Sequence, residues 1–272
     1  MIRLRKLQRW ERGKRERMRW IAITNQKGGS GKTTTAVNLA AALGEKKRRV
    51  LVMDLDPQCS ATSWFGIKNT DKGVFRVFAE NGNVLDILSE TNIPNVAVVP
   101  ASPWLVGVEK ALAGEVGAET ILRRQLRNLP SDRWEYLLID CPPALGILTI
   151  NALAAAREVL VPVEAHVLAL EGLAQLLQTV DVVKERLNPE LEICGILACR
   201  VDGRTRHAQE VVEHLRGRFG DLVYKTVIRE NVRLAECPSF GKPIMHYDPR
   251  SYGAQDYRAL ATEVIRQEKR RE

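Results

Sequence analysis

The sequence predicts an α/β fold, a doubly wound and mostly parallel sheet of about seven strands flanked by helices. Three observations carry this expectation. Short apolar runs rich in β-formers alternate with helical patterns along the 272 residues, an order that yields right-handed crossovers and a sheet covered on both faces. A glycine-rich loop separates the first such run from the first helical pattern. Acids close the second and fourth apolar runs, the ends at which open parallel sheets gather ligands.

The first strand is "WIAIT", residues 20–24, and residues 25–35 follow as "NQKGGSGKTTT". The ordinary phosphate loop reads G-x-x-x-x-G-K-[ST]: backbone N–H groups cradle phosphate, the lysine reaches the β/γ oxygens and the hydroxyl holds Mg²⁺. Gly31, Lys32 and Thr33 supply its last three positions, but Gln26 stands where the opening glycine belongs. The physics survives, because Gly28, Gly29 and Gly31 still let the backbone close around an anion. Ser30 and Thr34 complete the candidate cradle. A helix over 32–43 follows from Ala36, Val37, Leu39, Ala40 and Leu43, with Gly44 as its stop. Strand, loop and helix in this order place the chain in the P-loop NTPase type. The loop also holds a second lysine, Lys27, at its entrance; once Lys32 is committed to phosphate, Lys27 is either solvated at the rim or aimed elsewhere.

Further strands are expected at 49–54, 95–99, 135–140, 158–163, 193–199 and 222–228. Helices are expected at 83–89, 103–129 with breaks, 146–156, 168–187, 206–219 and 252–268. Residues 66–82 read as a surface excursion. The second strand runs into "DLDPQ" and the fourth into "DCPP". Asp140 after its apolar run has the Walker B arrangement, placed to hold Mg²⁺ directly or through water, and Pro142 and Pro143 force the chain out of the sheet just beyond it. Asp56 suits the orientation or deprotonation of an attacking water and a share in the metal, with Asp54 as an orienter behind it; the two roles are not separable from sequence. Thr33, Asp56 and Asp140 are thus the metal candidates, and Lys27, Lys32 and Asp56 the catalytic ones.

No linker divides the chain, so residues 19–272 are expected to form one domain behind a basic extension, residues 1–18. The net charge of +8 belongs mostly to that arm: residues 1–19 carry nine Lys/Arg against Glu11 and Glu16. DNA binding by the body must therefore rest on a local patch. The arm itself reads as an over-extended start, a disordered tail, a DNA-binding arm or a membrane-surface helix. The five cysteines are scattered without a C-x-x-C pair, which points to reduced thiols rather than a metal cluster. No apolar run is long enough to span a bilayer and nothing resembles a cleavable signal, so a cytoplasmic location is expected.

Taken together, "KGGSGKTT", "DLDPQCSAT", "DCPPALG", "ALEGLAQLL" and "NVRLAECPSFGKPI" resemble the ParA/Soj family of DNA-partitioning ATPases, over about residues 18–265. The resemblance implies ATP and Mg²⁺ as cofactors and an ATP-sandwich homodimer in which Lys27 reaches the partner's nucleotide, much as an arginine finger does. It further implies non-specific DNA binding through Arg204 and Arg233, nucleoid association, a ParB-like partner and no stable membrane association. The segment around Asn231 is expected to meet the adenine. One departure stands out: relatives commonly read I-P-R-N where this chain has Ile228-Arg229-Glu230-Asn231, which puts base selectivity and the DNA surface in question. Two alternatives are a MinD-like membrane switch, disfavoured because the "RQEKRRE" end lacks an apolar face, and a metabolic or iron–sulfur assembly ATPase, for which neither a substrate site nor paired cysteines are evident.

Overall fold

Seven strands assemble in the order β3-β4-β2-β5-β1-β6-β7: β1 (Arg19–Ile23), β2 (Val50–Asp54), β3 (Ser89–Glu90), β4 (Val96–Val99), β5 (Tyr136–Asp140), β6 (Glu158–Glu164) and β7 (Glu192–Cys199). The computed structural model describes residues 18–68, 70–130, 132–166 and 169–268. Residues 1–17, and with them the readings offered for the basic arm, lie outside this set. All pairings are parallel except β3 with β4.

The strand sequences explain the two-sided cover. The central strands β2 and β5, "VLVMD" and "YLLID", are buried at every position, as parallel strands between two helical layers must be. Successive side chains alternate between two cores. Leu51, Met53, Leu137 and Ile139 enter one, packed under α2 (Ile147–Ala155), α3 (Ala169–Arg186) and α4 (Arg206–Phe219). Val50, Val52, Tyr136 and Leu138 enter the other, under α1 (Lys32–Glu45) and α5 (Tyr252–Glu268). The register sets Asp54 beside Asp140, with Ile23 on the far side of Asp140. Both acids and the end of β1 therefore share one edge.

The opposite, amino-terminal edge is sewn by charge pairs. Arg19 donates to both oxygens of Glu158 at 2.8 and 2.5 Å and to the Val264 carbonyl at 2.7 Å. Arg48 joins Glu135 at 2.6 Å and Glu268 at 2.7 Å, and the Tyr136 hydroxyl also bonds Glu268.

Three expectations are corrected. Residues 222–228 form no ladder: Val223 makes an isolated bridge to β7 and the N–H groups of Tyr224 and Ile228 donate to the Ile196 and Ala198 carbonyls at 2.9 and 2.8 Å, but between them the N–H groups of Lys225 and Thr226 donate to the Glu263 carboxylate instead. The expected helix at 83–89 is a single 3₁₀ turn, Val84–Ile87, which Asn83 caps by accepting from Leu85 N, and it leads directly into β3. Residues 66–82 are not a mere excursion, since they include a helical turn, Phe75–Ala79, that buries Val77 and Phe78 beside Val74. Gly73 (φ +48°) brings its backbone so close to Pro100 that a Cβ would lie 2.5 Å from that carbonyl oxygen.

Candidate nucleotide site

The loop after β1 is held from beneath before any ligand arrives. Asn25 donates from Nδ2 to the Pro162 carbonyl on β6 at 2.7 Å and accepts from Lys27 N at 3.0 Å. Gly29 and Gly31 take left-handed conformations (φ +74° and +94°), and a Cβ on Gly31 would meet Cys199 Sγ at 3.4 Å. The positive φ is what reserves both positions for glycine. No side chain caps the first turn of α1, so its N–H groups and the positive end of its dipole remain available to an anion. Lys32 is 6% exposed and its Nζ reaches the Lys27 carbonyl at 3.2 Å. Burial lowers its pKa, against the pull of Asp140 and Asp56.

The three acids are held in three different ways. Asp54 is fully buried and fully bonded: Oδ2 accepts from Thr62 N at 2.8 Å and Thr62 Oγ1 at 2.7 Å, and Oδ1 from Asp56 N at 3.1 Å. Burial nevertheless raises its pKa to about 6. These bonds make it a brace for the turn that carries Asp56. Asp56 accepts from Gln58 N at 2.9 Å through Oδ1 and lines the cleft. Asp140 is fully buried, close to the loop but not among the residues that line the cleft, with neither carboxylate oxygen hydrogen-bonded. The nearby Thr33 hydroxyl favours its charge without completing a bond of good geometry, while burial and then the Asp54 charge push its pKa well above the carboxylate range. Such an orphaned carboxylate is costly unless a cation completes it.

Lys27 turns away from this centre. Its Nζ pairs with Glu164 Oε2 at 2.6 Å and is 40% exposed, and Arg200 takes the other oxygen of Glu164 at 3.0 Å. These two cations, with the Lys27 bond first, hold the Glu164 pKa below its usual value.

A cleft of about 1370 Å³ opens over the loop. Gly28, Gly29, Gly31, Lys32, Thr33, Thr34 and Asp56 form its phosphate end, and Arg229, Asn231, Tyr252 and Arg204 lie along its other walls. Ser30 is buried within the loop, its hydroxyl without a partner. The opposite wall is rigid: Asp256 grips Arg229 at 2.5 to 3.1 Å, and that guanidinium lies 4.1 Å from the centre of the Tyr252 ring. Asn231 caps the helical turn Val232–Glu236 by accepting from Arg233 N at 2.9 Å.

This donor set fits a nucleoside triphosphate with Mg²⁺. Uncapped N–H groups and Lys32 suit phosphate oxygens, while the two orphaned oxygens of Asp140, with Asp56 and the Thr33 hydroxyl, offer the hard oxygen ligands that Mg²⁺ prefers. Among the described residues no three His, Cys, Asp or Glu form a ready metal cage, in keeping with an ion shared between one or two carboxylates and a phosphate chain.

A protein-family profile described as an AAA domain matches residues 18–193. Sporulation initiation inhibitor protein Soj of Bacillus subtilis is 49% identical over 90% of this chain and 97% of its own. Chromosome-partitioning ATPase Soj of Thermus thermophilus is also 49% identical, over 92% of this chain and 97% of its own. The chain belongs to the ParA/Soj family. Among solved structures, cobyrinic acid a,c-diamide synthase from Mycobacterium smegmatis, with bound ATP analogue and magnesium, superimposes with a TM-score of 0.81 at 34% identity, covering 93% of this chain and 96% of that one.

The ParA/Soj positions expected to meet DNA lie on the surface, each with an acid beside it. Arg204 is 87% exposed and chelated by Asp202 at 2.9 Å; Arg233 is 58% exposed and paired with Glu236 at 3.0 Å. Arg204 borders the cleft, whereas Arg233, like Lys27, is not among its lining residues. Sequence reasoning missed Glu164, although the rule that found Asp140 applies to it, since it is an acid at the carboxyl end of β6. It also missed the Arg229–Asp256 clamp, whose partners are 27 residues apart and share no local pattern.

Proposed function

We propose that this chain is a dimerising ATPase that hydrolyses ATP with Mg²⁺, binds DNA without sequence preference as the ATP-bound dimer, and partitions a chromosome or plasmid with a ParB-like centromere-binding protein. The observation that carries the reading is the unequal fate of two lysines in one loop: Lys32 is buried inside the cleft and Lys27 stands outside it on Glu164.

In this mechanism the loop N–H groups and Lys32 bind the phosphate chain, and Thr33, Asp56 and Asp140 would hold Mg²⁺, which would supply neutralisation of the charge on the phosphates. Asp56, with Oδ1 fixed by Gln58 N, keeps Oδ2 for the attacking water; its contribution is orientation, which is what phosphoryl transfer chiefly needs. Lys27 from a second copy completes the neutralisation, an effect on the order of 10³ to 10⁵ in turnover for groups of this class. Asn231 serves the base end. Arg204 and Arg233 meet DNA phosphates, and their present pairs are exposed and screened by solvent, weak enough for phosphate to displace. The expected setting is cytoplasmic and nucleoid-associated.

The test is DNA binding with ATP, with ADP and without nucleotide, across a salt series. Binding confined to ATP, weakening steeply with salt, is expected; binding indifferent to nucleotide overturns the reading. Lys27→Ala should abolish both ATP-dependent dimerisation and turnover, and a light-scattering mass unchanged from the parent dimer would refute its role in trans. A membrane switch through the last helix is disfavoured, because the apolar face of α5 (Ala254, Tyr257, Leu260, Ala261, Val264) is already buried, and no helix among the described residues is long and apolar enough to cross a membrane.

A further inference from the structure

We propose that Glu164 is a latch that holds Lys27 within its own subunit and thereby sets the protein concentration at which the ATP-bound chains pair. The inference rests on the dimer reading above and adds to it a positioning residue that acts through Lys27.

Its basis is the geometry at the end of β6. Glu164 Oε2 lies 2.6 Å from Lys27 Nζ, and Oε1 lies 3.0 Å from Arg200 Nη1. The carboxylate is thus shared between two cations, one of which, Arg200, is itself in the left-handed region (φ +54°) with Glu230 4.0 Å away. Lys27 cannot serve a partner's triphosphate while it remains on Glu164, because one ammonium 2.6 Å from a carboxylate of its own chain is not free to cross an interface. The latch is also tied to the nucleotide side of the loop: the Lys27 carbonyl accepts from Lys32 Nζ, so a phosphate that draws Lys32 toward itself removes one of the bonds fixing Lys27.

The strength of the latch follows from its exposure. Partly solvated pairs of this kind change an equilibrium constant by only a few-fold each. Closing a symmetric dimer breaks two of them, so loss of the latch should shift dimerisation by about tenfold. That size suits a reversible control: a much stronger pair would forbid dimers and a much weaker one would control nothing.

The experiment measures self-association by sedimentation velocity over a protein dilution series, with Mg²⁺ and a slowly hydrolysed ATP analogue, and ADP affinity of the monomer as a control. Glu164→Gln should dimerise at about tenfold lower concentration than the parent chain, with ADP affinity unchanged. Arg200→Ala, which removes the competing ion pair and leaves Glu164 to Lys27, should need a higher concentration. The double variant K27A/E164Q should behave as K27A and stay monomeric. Unshifted or weakened pairing in E164Q, beside a parent chain that does pair, overturns the latch and leaves the dimer reading intact. A parent chain and an E164Q variant that both remain single would overturn the dimer reading, and the latch with it.

Discussion

The two edges of the sheet are built on opposite principles. At the amino-terminal edge every charge named here has its opposite: Arg19 lies on Glu158, and Arg48 lies between Glu135 and Glu268. At the carboxyl edge Asp140 is buried with both oxygens unbonded, and the hydroxyls of Thr24 and Ser30 are buried without partners. The same strands supply both edges, so the contrast is not one of secondary structure. It separates charge arranged to be satisfied by the fold from charge arranged to be satisfied by a ligand.

Substitution should expose that difference, and the largest effect belongs to the carboxyl edge. Asp140→Asn should lower ATP turnover by about a hundredfold or more, the scale for losing one preorganised electrostatic group, yet should not lower the melting temperature of the ligand-free protein, since it removes a buried carboxyl that makes no hydrogen bond. A clear fall in melting temperature would erase the contrast. Glu158→Gln, at the other edge, should do the reverse. It leaves the nearly buried Arg19 without its counter-charge, and breaking a buried pair in this way costs about 3–5 kcal/mol, measurable by urea unfolding, while the nucleotide site is untouched.

A smaller effect is expected on the wall facing the loop. Tyr252→Ala should weaken ADP binding by about tenfold, the scale of one base–aromatic stack, and leave pyrophosphate binding unchanged; equal losses for both ligands would point to a folding defect. The smallest effect is on pH. Asp54 and Asp140 have raised pKa values, about 6 for Asp54, so these two acids hold more protons in the folded chain than in the unfolded one above about pH 4, and this edge loses stability as pH rises toward 6. Glu135 has a lowered pKa, and its contribution is present above its ordinary value of 4.5 and lost as pH falls below it. From pH 5 to 7 the ligand-free melting temperature should therefore decline, and D140N should flatten the decline. A melting temperature that climbs through that window would contradict the assignment of the two acids.

Those contrasts also mark what the sequence could disclose. Apolar runs at β2 and β5, glycines at 28, 29 and 31 and acids after the runs are local signals, and the sheet, the loop and the positions of Asp54, Asp56 and Asp140 follow from them. Partners distant in the chain leave no such trace. Residues 222–228 look like a strand, but Glu263, 37 and 38 positions on, takes the N–H groups that a strand would have used. Lys27 was conspicuous and its own-chain partner Glu164 was not, because the meeting depends on β6 lying next to β1. Likewise the clamp of Asp256 on Arg229 requires α5 to lie beside the segment that follows β7, a fact of packing rather than of pattern.

The bond from Arg19 to the Val264 carbonyl, with Gln267 also in reach, sets the first strand and the last helix side by side at the amino-terminal edge. Both ends of the described chain therefore emerge a strand's length, roughly 16 Å for five residues, from the edge that bears the cleft. A fluorescent label or surface tether placed at the exposed Arg266, in the last turn of α5, should consequently leave nucleotide exchange unobstructed, which makes this edge a sensible handle for following the molecule under a microscope.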